Sequence, residues 1–346
     1  MTQVVQTPSA DKPVNQQETR PMTMAGALTD AMDVALTRDP KVIMYGEDVG
    51  RLGGVYRITT GLQAKHGEAR VFDSPLSEAA IMGTAIGAAA VGMRPVVEFQ
   101  FGGFMMPAFD HIFSHVSRYR YRSRGRWKTP LVVRFPVGGG LGLLEQHADS
   151  PEAYLMHTPG IKIIYPSNPY DAKGLLLAAI ESDDPVFCFE TIKLYRDPKL
   201  RQDVPTGYYT VPLGKARVTR EGTDVTIIAY GGMVQPAEAA AEAAAQGGIS
   251  CEVIDLRSIV PLDIDTIISS VQKTGRAVVV HEAVRTGGVG AEIAALIQEK
   301  AFYSLEAPIE RVTSFDTMPS PFNALNHFSR PEAHHIAEAI KKVLSA

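Results

Sequence analysis

The chain has 346 residues and a mass of 37.4 kDa, enough for about two domains at roughly 150 residues each. Hydrophobic residues at 45% against 21% charged supply apolar surface for packed cores and exclude global disorder. A formal charge of -4 argues against a nucleic-acid binder or a membrane-surface protein. Two cysteines, Cys188 and Cys251, exclude a disulfide framework or a four-thiolate zinc site.

Residues 1–21 are polar and lack an apolar period, which predicts a flexible N-terminal tail. They have neither the apolar centre of a secretory signal nor the Arg-rich character of a transit peptide, so a bacterial cytoplasmic location is expected. From residue 22 short apolar strands alternate with helices. Leu28, Met32, Ala35 and Leu36 mark a helical face before the strand Val42–Tyr45. The run Arg70–Phe72 leads to a helix over Glu78–Gly92 rich in Ala and Gly, and the strand Val96–Phe101 precedes a helix from about Pro107. Leu131–Phe135, Ile163–Tyr165 and Val186–Phe189 read as buried strands, with a helix at Ala172–Ile180. Polar, Pro-containing sequence then predicts a linker over 196–212. The alternation resumes with Val225–Ala229, a helix at Val234–Ala245, Cys251–Leu256, a helix at Ile264–Val271, Ala277–His281 and a helix from about Gly290. A last helix near Pro331–Leu344 closes the chain. Apolar strands separated by helices imply an α/β fold: two domains, 22–195 and 213–346, with mostly parallel sheets covered by helices.

Several stretches have chemistry-bearing composition. Thr286–Glu292 places Gly287, Gly288 and Gly290 after a strand and before a helix, as a phosphate-cradling turn would be. Ile293 occupies the third glycine position of the dinucleotide fingerprint, so a tight packing turn competes with a nicotinamide-binding oxidoreductase reading and is favoured. Gly138–Gly142 precedes His147, Asp149 and Ser150, which suits either a mobile loop presenting polar groups or an ordinary exposed turn. His111 and His115 have the i, i+4 spacing of zinc ligands, but no third ligand is defined and helix-face histidines are the better reading. Arg118–Lys128 carries six basic residues in eleven; with no second basic cluster, a subunit interface or solvated face is favoured over nucleic acid. Glu78 follows Ser77 in a helix's first turn, where a carboxylate is favourable without any function. The small residues after it, from Ala79 to Ala90, permit close contact with another helix or a partner subunit.

Taken in order, these segments resemble the beta subunit of the thiamine-diphosphate-dependent 2-oxo acid dehydrogenase, the decarboxylating first component of those complexes. The resemblance runs from about Met22 to the C-terminus, through Gly46–Val49, Gly53–Arg57, Phe72–Glu78, Pro107–Asp110, His147 with Ser150–Ala153, Pro159–Lys162, Asp171–Leu176 and Cys251–Arg257. Gln100-Phe101, Pro107–Asp110 and Tyr119–Ser123 are most similar to the branched-chain type; pyruvate or acetoin enzymes are the close alternative.

The resemblance implies a transketolase-like pyrimidine-binding domain followed by a transketolase C-terminal-like assembly domain. It implies an α2β2 heterotetramer in which the alpha subunit holds the diphosphate and magnesium through a Gly-Asp-Gly motif, which this sequence lacks. It also implies acyl transfer to the lipoyl group of a dihydrolipoyl acyltransferase core, so docking and catalysis need not compete. By the same resemblance Glu78 hydrogen-bonds the aminopyrimidine ring of thiamine diphosphate and favours its imino tautomer. Phe104 stacks on that ring where branched-chain relatives more often have Tyr, and His147 serves proton transfer during acyl transfer. Ala148 stands where the family commonly has Ser. Glu47 and Leu76 join the cofactor pocket, and potassium is a further cofactor expected near Leu131, Val132, Ala179, Ser182 and Asp184.

Overall fold

Fourteen strands and eleven α-helices are present in a computed structural model that describes residues 13, 14, 17–139, 141–320 and 322–346. In the first half, β1 (Thr19–Met22) precedes helix α1 (Met24–Arg38), then β2 (Val42–Gly46), α2 (Leu62–His66), β3 (Val71–Asp73), α3 (Glu78–Ala90) and β4 (Arg94–Glu98). After α4 (Tyr119–Arg122) come β5 (Val132–Val137), α5 (Glu152–Met156), β6 (Lys162–Ile164), α6 (Pro169–Glu181), β7 (Val186–Thr191) and β8 (Gln202–Pro205). The second half contains β9 (Arg217–Arg220), β10 (Val225–Ala229), α7 (Val234–Gln246), β11 (Cys251–Asp255), β12 (Ser258–Val260), α8 (Ile264–Thr274), β13 (Ala277–Val284), α9 (Val289–Ala301), β14 (Glu310–Ser314), α10 (Asn323–Ser329) and α11 (Ala333–Leu344).

A seven-stranded sheet has the order β12-β6-β7-β5-β4-β2-β3, and a five-stranded sheet the order β14-β13-β10-β11-β9. Every pairing in both is parallel except the edge strands β12 and β9. The mostly parallel two-domain reading therefore holds, and the reason is visible in the strands. Val186 and Cys188 of β7 pack toward α1 and α6, while Phe187 and Phe189 pack toward the opposite core. A strand buried on both faces has no polar alternation to display. Caps set the helix starts: Thr23 Oγ1 accepts from Gly26 N at 3.2 Å, and Asn168 Oδ1 accepts from Asp171 N at 2.9 Å with Pro169 following.

Four local expectations need correction. The tail expected over 1–21 ends in β1, which pairs antiparallel with β8 from the expected linker 196–212; residues 1–12, 15 and 16 lie outside the described residues. Lys173 explains this pairing. Its Nζ donates to Asp30 on α1 and to Pro205 O on β8, both at 2.5 Å, and Asp30 also receives Arg20 of β1 at 2.5 Å. The linker also buries Val204, Tyr209 and Val211 in the core, so its polar composition conceals side chains that anchor it. The helix expected from Pro107 is a 3-10 segment over Gly102–Ala108 and a π-helix over His111–Val116. Finally, β12 crosses from the second half to complete the first sheet, and the core facing α3 continues through Tyr165 and Phe189 into Tyr230, Ile254, Val279 and Val289. Among the described residues no helix is long and apolar enough to cross a membrane.

Candidate active site

Glu78 opens α3 directly after the turn that leaves β3. Ser77 caps the helix, its Oγ accepting from Ala80 N at 3.4 Å. The Glu78 side chain is nearly buried, with 9% exposure, yet its carboxylate has no hydrogen-bond partner among the described residues. Its charged neighbour is Glu47, in the loop after β2. Burial pushes the Glu47 carboxyl up, the charges of Asp48 and Glu78 add to this, and Gln100 only partly offsets it. Two carboxylates lie close together, and no protein donor reaches Glu78. A ligand carrying a hydrogen-bond donor fits that arrangement. Leu76, two residues earlier, is 70% exposed.

The 3-10 segment against which α3 packs carries Phe104. Phe104 meets His147 edge-on at 5.0 Å between ring centroids, and both meet Phe101, at 5.6 Å and 4.5 Å. The structure thus brings together Phe104 and His147, which lie far apart in sequence. Gly103 makes the approach possible. A Cβ there would lie 2.4 Å from Gln146 O and 2.6 Å from Gln146 Cα, and Gln146 itself has a φ of 65°. The loop backbone therefore rests directly on the 3-10 segment and carries His147 with it, its Nδ1 lying 3.3 Å from Glu145 O. Ala148 is buried beside it. Next to the loop is a cavity of about 830 Å³ between the two halves, lined by Gly103, Gln146, Asp149, Glu282 and Arg330 among others. A smaller apolar cleft of about 390 Å³ lies along α3, over Ala80, Thr84 and Ala88.

Beneath these groups lie charges that sequence reasoning missed. Arg134 of β5 is 1% exposed and donates to Glu190 Oε1 at 2.9 Å, Glu190 Oε2 at 2.6 Å and Glu98. Tyr195 donates to Glu190 at 2.7 Å. Burial disfavours the guanidinium's charge, but Glu190 and Glu98 outweigh it and push its pKa up. At the junction of the halves Glu152 is fully buried, accepts from Tyr230 at 2.8 Å, and leaves Oε2 without a partner. Burial, with Glu282 adding, pushes its pKa up to about 8. A signal for the Arg134 cluster was present: Glu98, Arg134 and Glu190 interrupt otherwise apolar strands, where a charge must be paired or functional.

The competing motifs separate on geometry. Gly288 and Gly290 seat the buried His281 ring, since a Cβ at either would come within 2.7 Å of it. Burial pushes the His281 pKa down to about 4. The glycine turn thus packs an imidazole against α9, the reading favoured over a nucleotide cradle. In the basic run, Arg120 pairs with Asp184, Lys128 pairs with Asp183 at 2.6 Å, and Tyr119 stacks on Trp127. Several of the oxygens expected near potassium accept hydrogen bonds from the protein. Leu131 O accepts from Val186 N at 3.0 Å and Ala179 O from Ser182 N at 3.1 Å. Arg94 donates to Ser182 O at 3.0 Å, and Asp184 pairs with Arg120 and with Lys162 at 3.2 Å. Val132 is buried within β5. Protein cations thus meet Ser182 O and Asp184, while Leu131 O and Ala179 O each accept one backbone hydrogen bond.

Comparison with known proteins agrees with this architecture. Residues 20–198 match the family described as transketolase, pyrimidine binding domain, and residues 214–336 match transketolase, C-terminal domain. The chain is 48% identical over 344 residues to a 2-oxoisovalerate dehydrogenase subunit beta of Pseudomonas aeruginosa, covering 95% of this chain and 97% of that one. It is 50% identical over 323 residues to a pyruvate dehydrogenase E1 component subunit beta of Bacillus subtilis, covering 93% and 98%. A split gene transketolase, described as an inactive beta4 tetramer, shares the fold at a TM-score of 0.75 and 23% identity, over 94% of this chain and 99% of that one. The chain belongs to the family of 2-oxo acid dehydrogenase E1 beta subunits, built from transketolase-type pyrimidine-binding and C-terminal domains.

Proposed function

We propose that this chain is the pyrimidine-binding half of a thiamine-diphosphate site, completed by an alpha subunit in an α2β2 heterotetramer of the bacterial cytoplasm. The observation that carries it is Glu78: a nearly buried carboxylate without a protein partner, beside a second carboxylate. Thiamine diphosphate, when bound, supplies the carbon nucleophile and electron sink that decarboxylation of a 2-oxo acid requires. Glu78 holds the proton at the aminopyrimidine ring nitrogen and so selects the ring's tautomer. Phe104 offers a ring face to the same heterocycle, braced edge-on by Phe101 and His147. His147 holds or donates a proton as the acyl group passes to a lipoyl thiol on the acyltransferase core. Glu47, whose carboxyl lies near Glu78, joins it at the cofactor, and the exposed Leu76 stands in the turn before α3. Magnesium belongs with the diphosphate on the alpha subunit, because this chain has no Gly-Asp-Gly motif.

Branched-chain 2-oxo acids are the proposed substrates, supported by the 48% identical 2-oxoisovalerate dehydrogenase relative and by the Tyr119–Ser123 segment. The 50% identical pyruvate dehydrogenase relative supports the second reading, pyruvate. Co-expression with the alpha subunit and comparison of kcat/KM for 3-methyl-2-oxobutanoate and pyruvate separates them. Higher turnover of pyruvate overturns the branched-chain assignment, and a folded complex inactive on both overturns the enzyme reading.

A further inference from the structure

Asp110, His111 and His115 each offer one ligand atom, and these atoms all lie within 4.8 Å of one another. The π-helix over His111–Val116 produces this grouping, with Ser117 N bonded to Ile112 O at 3.1 Å. Neighbours on a regular α-helix point about 100° apart, so Asp110 and His111 would diverge on one. The wider turn brings the aspartate to the histidine pair. Ser114 Oγ donates to Asp110 Oδ1 at 2.8 Å and holds one carboxylate oxygen. Among the described residues neither imidazole makes a side-chain hydrogen bond. The His111 ring lies over Gly83 of α3, 3.9 Å from where a Cβ would stand, so the absent side chain leaves room for the ring.

We propose that Asp110, His111 and His115 form a divalent-metal site suited to zinc. Two imidazole nitrogens and one carboxylate oxygen match zinc's ligand preferences and leave a fourth position for water or another group. Zinc bonds near 2.1 Å set tetrahedral ligands about 3.4 Å apart, so side-chain torsions must draw the cluster in by up to about 1.4 Å. The partly exposed ligands have the freedom to do so. The site rests on no part of the thiamine reading, because none of its three residues takes part in that chemistry.

The test uses the assembled complex of this chain with its alpha subunit, dialysed against zinc in the presence of a competing chelator and analysed for metal content. Wild type is expected to retain one more zinc per beta chain than the His111→Gln/His115→Gln variant, and its affinity to exceed that of Asp110→Asn by at least tenfold. Ser114→Ala, which loosens only the carboxylate, is expected to weaken binding by about tenfold, at the lower end for an outer-shell partner. Cobalt(II) is expected to give wild type a visible absorption band absent from the double variant. Equal zinc content and equal cobalt spectra in wild type and double variant overturn the site. If the double variant does not assemble, Asp110→Asn, which changes one exposed side chain, carries the same comparison: unchanged affinity there overturns it.

Discussion

Arg134 and Glu78 are both charged and nearly buried in the first half of the chain, but their surroundings differ. Arg134 is enclosed by Glu98 and Glu190, and Tyr195 completes the set. Glu78 sits at a helix start with no hydrogen-bond partner and a second carboxylate, Glu47, nearby. A buried charge without its partner is expensive. Glu78 escapes that cost because its carboxylate oxygens are not fully buried and can meet solvent or a ligand. The Arg134 cluster holds β4, β5 and β7 together; Glu78 is available to a ligand.

The largest expected effect tests the open side of that comparison. Glu78→Gln should lower kcat of the assembled complex by about 10²- to 10⁴-fold, the usual worth of a positioned acid–base group. Its melting temperature should hold or rise slightly, because charge repulsion with Glu47 is relieved. A large fall in melting temperature with normal turnover would reverse the two roles.

Arg134→Met should do the opposite. It leaves Glu98 and Glu190 buried without a counter-charge and should cost about 3–5 kcal/mol in denaturant unfolding. A loss below ~1 kcal/mol would show that the cluster is not the structural centre of the sheet.

Gly103→Ala sharpens the comparison without touching a charge. The added methyl meets the Gln146 backbone, so His147 must shift. Turnover should fall by about 10²-fold, the order expected for a misplacement near 1 Å, with Glu78 untouched. Unchanged activity would show that the position of the His147 loop does not matter to the reaction.

The last effect is a pH dependence. Glu152 holds its proton up to about pH 8 when folded and has an ordinary value near 4.5 when unfolded. The folded state therefore binds the extra proton between these values. Its contribution is complete below about pH 4.5 and is lost as pH rises through about 8, at up to about 1.4 kcal/mol per pH unit. Glu152→Gln stays neutral throughout, so unfolding measured at pH 5.5, 7 and 8.5 should show the variant gaining on wild type as pH rises. Parallel curves would remove Glu152 from the account.

Legibility in the sequence varied by region. The strands Val42–Tyr45, Val186–Phe189 and Val225–Ala229 were readable because continuous apolar runs between helices have few other solutions. Helix α6 was readable from its apolar run, and its Asn168-Pro169 start confirms how such ends are made. The pairing of β1 with β8 was not, because Lys173 and Asp30 create it across a long separation. For the candidate site, Glu78 by itself looked like an ordinary first-turn carboxylate. Family resemblance pointed to it, and the missing partner became visible only in three dimensions. Glu152 lay inside a quoted segment but was assigned nothing, since burial at a junction between halves leaves no local mark.

The sequence by itself determined the α/β class, the parallel character of the sheets and the family, because apolar periodicity and ordered motifs are properties of the chain. Tertiary structure decided which residues meet. It set Phe104 against His147 through the space at Gly103, brought Asp110 to the histidine pair through a π-helix, and enclosed Arg134 while leaving Glu78 unpartnered. Hydrogen-bond satisfaction and burial are relations between distant segments, and they exist only once the sheets have formed.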